Sequence, residues 1–194
     1  MTIAFVLGNG VSRQSVDLEL LRPLGKIYGC NALYRDFVPD VLIATDKPIA
    51  EHIQKSSYPI KNKFYTRKPI EGLGAFQVPK DYYGYSSGPI AVGIASLDQH
   101  SKIYMIGFDM GPLNNRFNNI YADTEFYRKS DATPVFTGNW VKQIRRIAED
   151  FSKTQFVRVQ GSTTAAIKDL DVIKNLSHLP MTTFVDRINN QKDL

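Results

Sequence analysis

The chain has 194 residues, with 24 Lys+Arg against 19 Asp+Glu for a formal net charge of +5, and three His, one Cys and one Trp. That length suits one domain with a sizeable core, and 43% hydrophobic with 22% charged residues is the composition of a folded protein rather than a disordered one. One Cys excludes an intrachain disulfide and any cysteine-cluster zinc or iron–sulfur centre, three scattered His form no His-rich metal site, and no apolar run is long enough for a membrane span.

In chain order, Ile3–Leu7 is a short continuous apolar run, as in a buried parallel strand, broken by Gly8-Asn9-Gly10. The stretch from Met1 to Arg13 lacks the basic region and long apolar run of a secretory signal, so a cytoplasmic protein is expected. Ser12 is placed to cap a short helix carrying Val16, Leu18, Leu20 and Leu21, stopped before Pro23. A second strand, Lys26–Cys30, ends at Asn31, and a third, Val41–Thr45, ends at Asp46. Pro48 suits the first turn of a helix bearing Ile49 and Ile53. Lys63–Thr66 reads as a strand, and residues 71–84 as a Gly- and Pro-rich loop with a short strand at Phe76–Val78. Ser87 or Gly88 caps the next helix, Pro89 fits its first turn, and Ile90, Ala91, Ile94, Ala95 and Leu97 form its apolar face. Strand Lys102–Ile106 runs into Gly107-Phe108-Asp109.

Residues 111–138 are irregular and rich in Asn and aromatics, the mark of a lid or a disordered stretch. Asn139 is placed to cap a strong helix with Trp140, Ile144, Ile147 and Phe151 near one face. Gln155–Val159 is expected as the last strand, followed by a short helix over 165–174 and a frayed tail over 186–194. This alternation predicts one α/β, Rossmann-like domain over residues 1–185, with a mostly parallel sheet flanked by helices and a lid over 111–138. Ligands of such sheets bind beyond the carboxyl ends of the strands, where Gly8-Asn9-Gly10, Asn31, Asp46 and Asp109 all fall.

Each of these motifs has two readings. Gly8-Asn9-Gly10-Val11-Ser12 lets backbone amides approach a phosphate, or is a tight turn; it is neither a dinucleotide fingerprint nor a Walker A loop. Asn31, Asp46 and Asp109 contact a nucleotide or are turn residues, and Asp46 with Asp109 is the one carboxylate pair suited to Mg²⁺. Ser86-Ser87-Gly88 binds an anion at a helix N-terminus or simply caps it. Tyr121 and Tyr127 touch phosphate through their hydroxyls or anchor the lid. His52, His100 and His178 lie in no acid–base motif and are expected at the surface, and Cys30 in the core. Basic clusters at Lys61, Lys63, Arg67 and Lys68, and at Lys142, Arg145 and Arg146, serve an anionic partner or are solvated surface. Nucleic acid is not expected as a partner, because no recognised motif accompanies the basic–aromatic alternation over 63–68.

Taken in order, Val6-Leu7-Gly8-Asn9-Gly10-Val11-Ser12, Tyr28-Gly29-Cys30-Asn31, Ser86-Ser87-Gly88 and Ile103-Tyr104-Met105-Ile106-Gly107-Phe108-Asp109 resemble the bacterial sialyltransferases of the Campylobacter lipooligosaccharide type. The stretch Val38–Asp46 instead resembles a related group, the hydroxymethylpterin pyrophosphokinases and motility-associated glycosyltransferase-like proteins. The resemblance spans about residues 3–160. It implies that Gly8, Asn9, Gly10 and Ser12 cradle a donor phosphate and that Asn31 contacts the nucleotide. By the same resemblance Ser86, Ser87 and Gly88 hold ribose, phosphate or sugar carboxylate, and Gly107, Phe108 and Asp109 line the base or ribose. Tyr121 and Tyr127 would lie near the phosphate. The sialyltransferases carry a catalytic His before the late helix; the matching stretch here, Pro134 to Trp140, has none. The expected function is a nucleotide-sugar-dependent, sialyltransferase-like glycosyltransferase with a CMP-sugar donor, an unidentified acceptor and no cofactor, its catalytic residues unassigned. The alternatives are a Mg²⁺-dependent pyrophosphokinase-like transferase using Asp46 and Asp109, and a non-catalytic nucleotide-binding module. A homo-oligomer is compatible with all three.

Overall fold

Ile3–Leu7 (β1), a continuous apolar run, and Lys26–Cys30 (β2) and Lys102–Ile106 (β6), uncharged beyond their opening Lys, are buried along nearly their whole length, as strands covered on both faces must be. In the computed structural model, which describes residues 2–190 and Leu194, they form the centre of one sheet. Val41–Ile43 (β3), Lys63–Thr66 (β4) and Phe76–Gln77 (β5) extend it on one side, Gln155–Gln160 (β7) and Leu176–Pro180 (β8) on the other. The eight strands lie in the order β5-β4-β3-β2-β1-β6-β7-β8, and every neighbouring pair is parallel.

Side chains alternate between two cores. Ala4 and Val6 of β1 face one, with Ile103 and Met105 of β6; it is closed by Ser87–Leu97 (α3) and Gly138–Asp150 (α4). Phe5 and Leu7 face the other, with Tyr104 and Ile106; it is closed by Lys47–Lys55 (α1) and Met181–Asn189 (α6). Tyr58–Lys61 (α2) and Lys168–Asp171 (α5) are single turns. Helix α3 is buried nearly all round, and a Cβ at Gly93 would come 2.5 Å from the Tyr82 ring, so only Gly fits there. Helix α4 is amphipathic: Val141, Ile144, Ile147 and Ala148 are buried, while Arg145–Glu149 and Arg146–Asp150 pair on its outer face at 2.9 and 3.1 Å.

Several local expectations change. After Gly10 the chain forms 3₁₀ turns at Val11–Ser15 and Leu18–Leu21, and Ser12 caps nothing, because its amide and hydroxyl are both bound to Asp109. Helix α4 begins at Gly138 after Thr137, so Asn139 lies within it. Helix α5 spans only 168–171 of the expected 165–174; Ala165 is held by its amide donating to the Asp109 carbonyl at 2.8 Å. The expected last strand is followed by β8, an edge strand of mixed Leu-Ser-His-Leu-Pro sequence that carries no continuous apolar run. Helix α6 reaches Asn189, past the expected start of fraying, because Met181, Phe184 and Ile188 bury one stripe; residues 191–193 of that expected tail lie outside the described residues. Residues 111–138 hold one antiparallel bridge, Leu113 with Arg116, and are tied down by Ile120 N–H donating to the Asn9 carbonyl at 2.8 Å. Among the described residues, no helix is long and apolar enough to cross a membrane.

Candidate functional site

Strands β1 to β5 step outward to one side, then the chain returns to place β6, β7 and β8 on the other. The order therefore reverses between β1 and β6, and the loops leaving their carboxyl ends diverge. A cavity of about 320 Å³ opens there. Of the sequence-predicted residues, its wall brings together Gly8, Asn9, Gly10, Asn31, Asp46, Ser86, Ser87, Gly88, Gly107, Phe108 and Asp109; Ser12, Tyr121 and Tyr127 are not part of it.

The glycines are required by packing. A Cβ at Gly8 would stand 2.5 Å from the Gly107 carbonyl oxygen, and one at Gly10 would stand 2.5 Å from Asp109 Cγ. Gly107 itself has φ +74°, which favours Gly. The amides of Gly8, Gly10, Val11 and Ser12 are engaged within the protein. Gly8 donates to the Ile106 carbonyl at 2.8 Å and Gly10 to the Gly107 carbonyl at 2.9 Å. Val11 donates to Asn118 Oδ1 at 3.0 Å and Ser12 to Asp109 Oδ2 at 3.1 Å. Asn9 ties β1 to β2, its Nδ2 donating to the Cys30 carbonyl at 3.2 Å while its Oδ1 accepts from Arg13 Nη1 at 2.6 Å.

Asp109 is the hub of the crevice floor. Its carboxylate accepts from the Ser12 amide and hydroxyl, from Asn118 Nδ2 at 3.1 Å, and from Thr163 and Thr164 hydroxyls at 2.7 and 3.3 Å. Arg158, fully buried, fixes the neighbouring backbone by donating to the carbonyls of Phe108, Asp109 and Ala165 at 3.0, 2.9 and 2.9 Å. Burial pushes its guanidinium down to about 10, opposed by the Asp109 charge, so it stays a cation at neutral pH. Arg13, also buried, donates to the Gly8 carbonyl at 2.7 Å and to Tyr121 Oη at 3.0 Å. Among the described residues, two guanidiniums and one carboxylate are thus the buried charges, and their balance is positive. Beneath a ligand cavity, that balance favours an anion.

Three groups in the wall remain open. Asn31 sits in the left-handed region at φ +54°, and its Oδ1 is buried without a hydrogen-bond partner among the described residues. Helix α3 directs its N-terminus at the cavity; the amides of its first turn have no carbonyl within the helix, and the half-buried Ser86 precedes them. Arg67, just after β4, donates through Nη2 to the Tyr85 carbonyl at 2.6 Å, while its Nε is buried without a partner among the described residues. Sequence reasoning met Arg67 only as one of a basic cluster, with nothing to separate it from Lys63 or Lys68. Ser87 is less available: its Oγ accepts from the Thr45 amide at 3.1 Å and pairs with Thr45 Oγ1 at 2.9 Å.

Tyr121 and Tyr127 anchor the irregular segment 111–138. Tyr121 meets Arg13, and Tyr127 Oη accepts from the Ala32 amide at 3.2 Å; burial pushes both hydroxyls up, that of Tyr121 to about 12. No His lines the cavity, and Asn139 is exposed outside it. His52 is exposed as expected, whereas His100 and His178 are half-buried. The Cys30 thiol, pushed up to about 12 by burial, is the inert core residue expected.

No protein-family model matches this sequence, and no curated protein does. The fold resembles that of a sialyltransferase. The sialyltransferase CstII from Campylobacter jejuni in complex with cytidine-5'-monophosphate superposes with a TM-score of 0.54 at 14% identity, covering 81% of this chain and 79% of that one. The same enzyme in complex with CMP-3FNeuAc gives 0.54 at 13% identity, covering 81% of each. At such identity the likeness is one of fold. It falls on the sialyltransferase side of the sequence resemblance and lends the pyrophosphokinase side no support.

Proposed function

We propose that this chain is a sialyltransferase-like protein that takes a CMP-type nucleotide, or a CMP-sugar, in the cavity between the ends of β1 and β6. The carrying observation is the buried, unpartnered Asn31 Oδ1 in the wall of that cavity, in a fold similar to one whose complexes hold CMP. A buried acceptor without a partner costs about 1–3 kcal/mol, and a ligand amine or hydroxyl relieves that cost. The donor phosphate is met by the amides opening α3, by Ser86 and by Arg67, rather than by the engaged amides of Gly8, Gly10, Val11 and Ser12. No cofactor is needed. The fully occupied Asp109 would leave a Mg²⁺-dependent reading with Asp46 alone. With no His in the wall, the chemistry available is positioning of the donor and electrostatic stabilisation of the departing phosphate.

Thermal unfolding with CMP, UMP, GMP and ATP, each with and without Mg²⁺, tests this. At one hundred times its Kd, CMP adds about 2.7 kcal/mol of stability. At about 2–4 °C per kcal/mol for a chain of this size, that raises Tm by about 5–10 °C. No shift with any nucleotide at millimolar concentration refutes the reading. Hydrolysis of a CMP-sugar by the protein marks a transferase; tight CMP binding without turnover marks a non-catalytic module.

A further inference from the structure

A second cavity, of about 480 Å³, lies at the opposite end of the sheet, beside the starts of β6, β7 and β8. Lys102, Lys153, Lys174 and Arg187 reach its wall from β6, from the turns before β7 and β8, and from α6. The wall holds no Asp or Glu among the described residues. The nearby Asp171 lies outside it, with Oδ1 2.9 Å from His178 Nε2. Four cations brought together from separated segments raise the local positive potential and repel one another, which an anion between them reverses.

The floor carries an independent observation. Tyr104 is fully buried and lines this cavity, and its hydroxyl has no hydrogen-bond partner among the described residues. Its ring is fixed by Phe5 and Phe184, with centroids 5.7 and 5.4 Å away, and Lys102 Nζ stands 5.3 Å from its centre. A buried donor held rigidly without an acceptor is a cost that folding alone leaves uncompensated.

We propose that this cavity binds a small anion bearing phosphate groups. Tyr104 Oη donates to one phosphate oxygen at the floor, while the three lysines and Arg187 neutralise the charge at the rim. Several cations facing one ligand match a multiply charged oxyanion better than a single carboxylate. The same chemistry is offered by free phosphate or pyrophosphate and by a phospholipid headgroup. The site is separate from the donor cavity and stands whether or not that cavity takes CMP.

Calorimetric titration of the full chain with pyrophosphate tests it, using wild type, the Lys153→Ala/Lys174→Ala double variant, Tyr104→Phe and Arg67→Gln, which removes the phosphate-facing cation of the other cavity. Wild type binds saturably, and the double variant binds at least about tenfold more weakly, about 1.4 kcal/mol. Tyr104→Phe also weakens binding while its Tm stays equal or rises, since it deletes an unpartnered hydroxyl. Arg67→Gln keeps this lysine-dependent binding. Sedimentation with phosphatidylcholine vesicles, with and without phosphatidic acid, separates the sources. Lysine-dependent capture by the acidic vesicles, competed by pyrophosphate, assigns a headgroup; no capture assigns a free phosphate. The proposal is overturned if pyrophosphate does not bind at millimolar concentration, if the double variant and Tyr104→Phe both bind like wild type, or if binding is lost in Arg67→Gln instead.

Discussion

Asp109→Asn separates a structural role from a ligand role at the centre of the site. In the wild type the carboxylate accepts from Ser12, Asn118, Thr163 and Thr164, while the backbone carbonyl of Asp109 accepts from the buried Arg158. The substitution replaces one oxygen by an NH₂ group, which turns at least one of these contacts into donor against donor. A hydrogen bond to a charged group contributes about 1.5–3 kcal/mol, and leaving a buried donor unsatisfied costs about 1–3 kcal/mol. These terms overlap, so a loss of about 2–4 kcal/mol is expected, a Tm drop of about 4–16 °C at 2–4 °C per kcal/mol. Urea unfolding followed by circular dichroism measures the first quantity and calorimetry the second. A variant within about 1 kcal/mol of wild type that has nonetheless lost CMP binding would refute the reasoning. Asp109 would then be a ligand-contacting group and not the keystone of the crevice.

Other outcomes follow from the same geometry. Gly10→Ala pushes a Cβ to 2.5 Å from Asp109 Cγ and is expected to destabilise by about 1–3 kcal/mol, read from the urea midpoint at unchanged slope. Asn31→Ala removes a buried acceptor without a partner; it should leave stability within about 1 kcal/mol of wild type while weakening CMP about tenfold or more by calorimetry. Arg67→Gln should weaken CMP while leaving cytidine, which lacks the phosphate, bound as before. Stability should fall on the alkaline side, as measured by urea midpoints at pH 8 and pH 10.5. Burial raises Cys30 and the hydroxyls of Tyr58, Tyr82 and Tyr121 to about 12 in the folded chain, so the unfolded chain releases those protons first and is favoured as pH rises from about 9 toward 12.

The strands that position the site were legible because they are buried on both faces. Ile3–Leu7 and Lys102–Ile106 are apolar without alternation, and little else produces such runs between Gly, Asn and Asp. Edge strand β8 escaped for the converse reason: Leu176 is buried, Ser177 is exposed, and its pairing with β7 is specified only in the folded chain. The site divides in the same way. Its residue types could be read because polar side chains at strand exits need either a ligand or a turn to explain them. Which explanation holds is set by partners distant in sequence. Ser12, Asn118 and Thr163 converge on Asp109 from three separate segments, and Arg13 claims Asn9, so the residues that looked most like a phosphate loop are largely occupied by the fold itself. The groups left open, Asn31 Oδ1 and Arg67 Nε, are marked by the absence of a partner. No local pattern encodes that absence. The proposed nucleotide site is therefore better sought among the polar atoms the fold leaves unpaired than among its glycines.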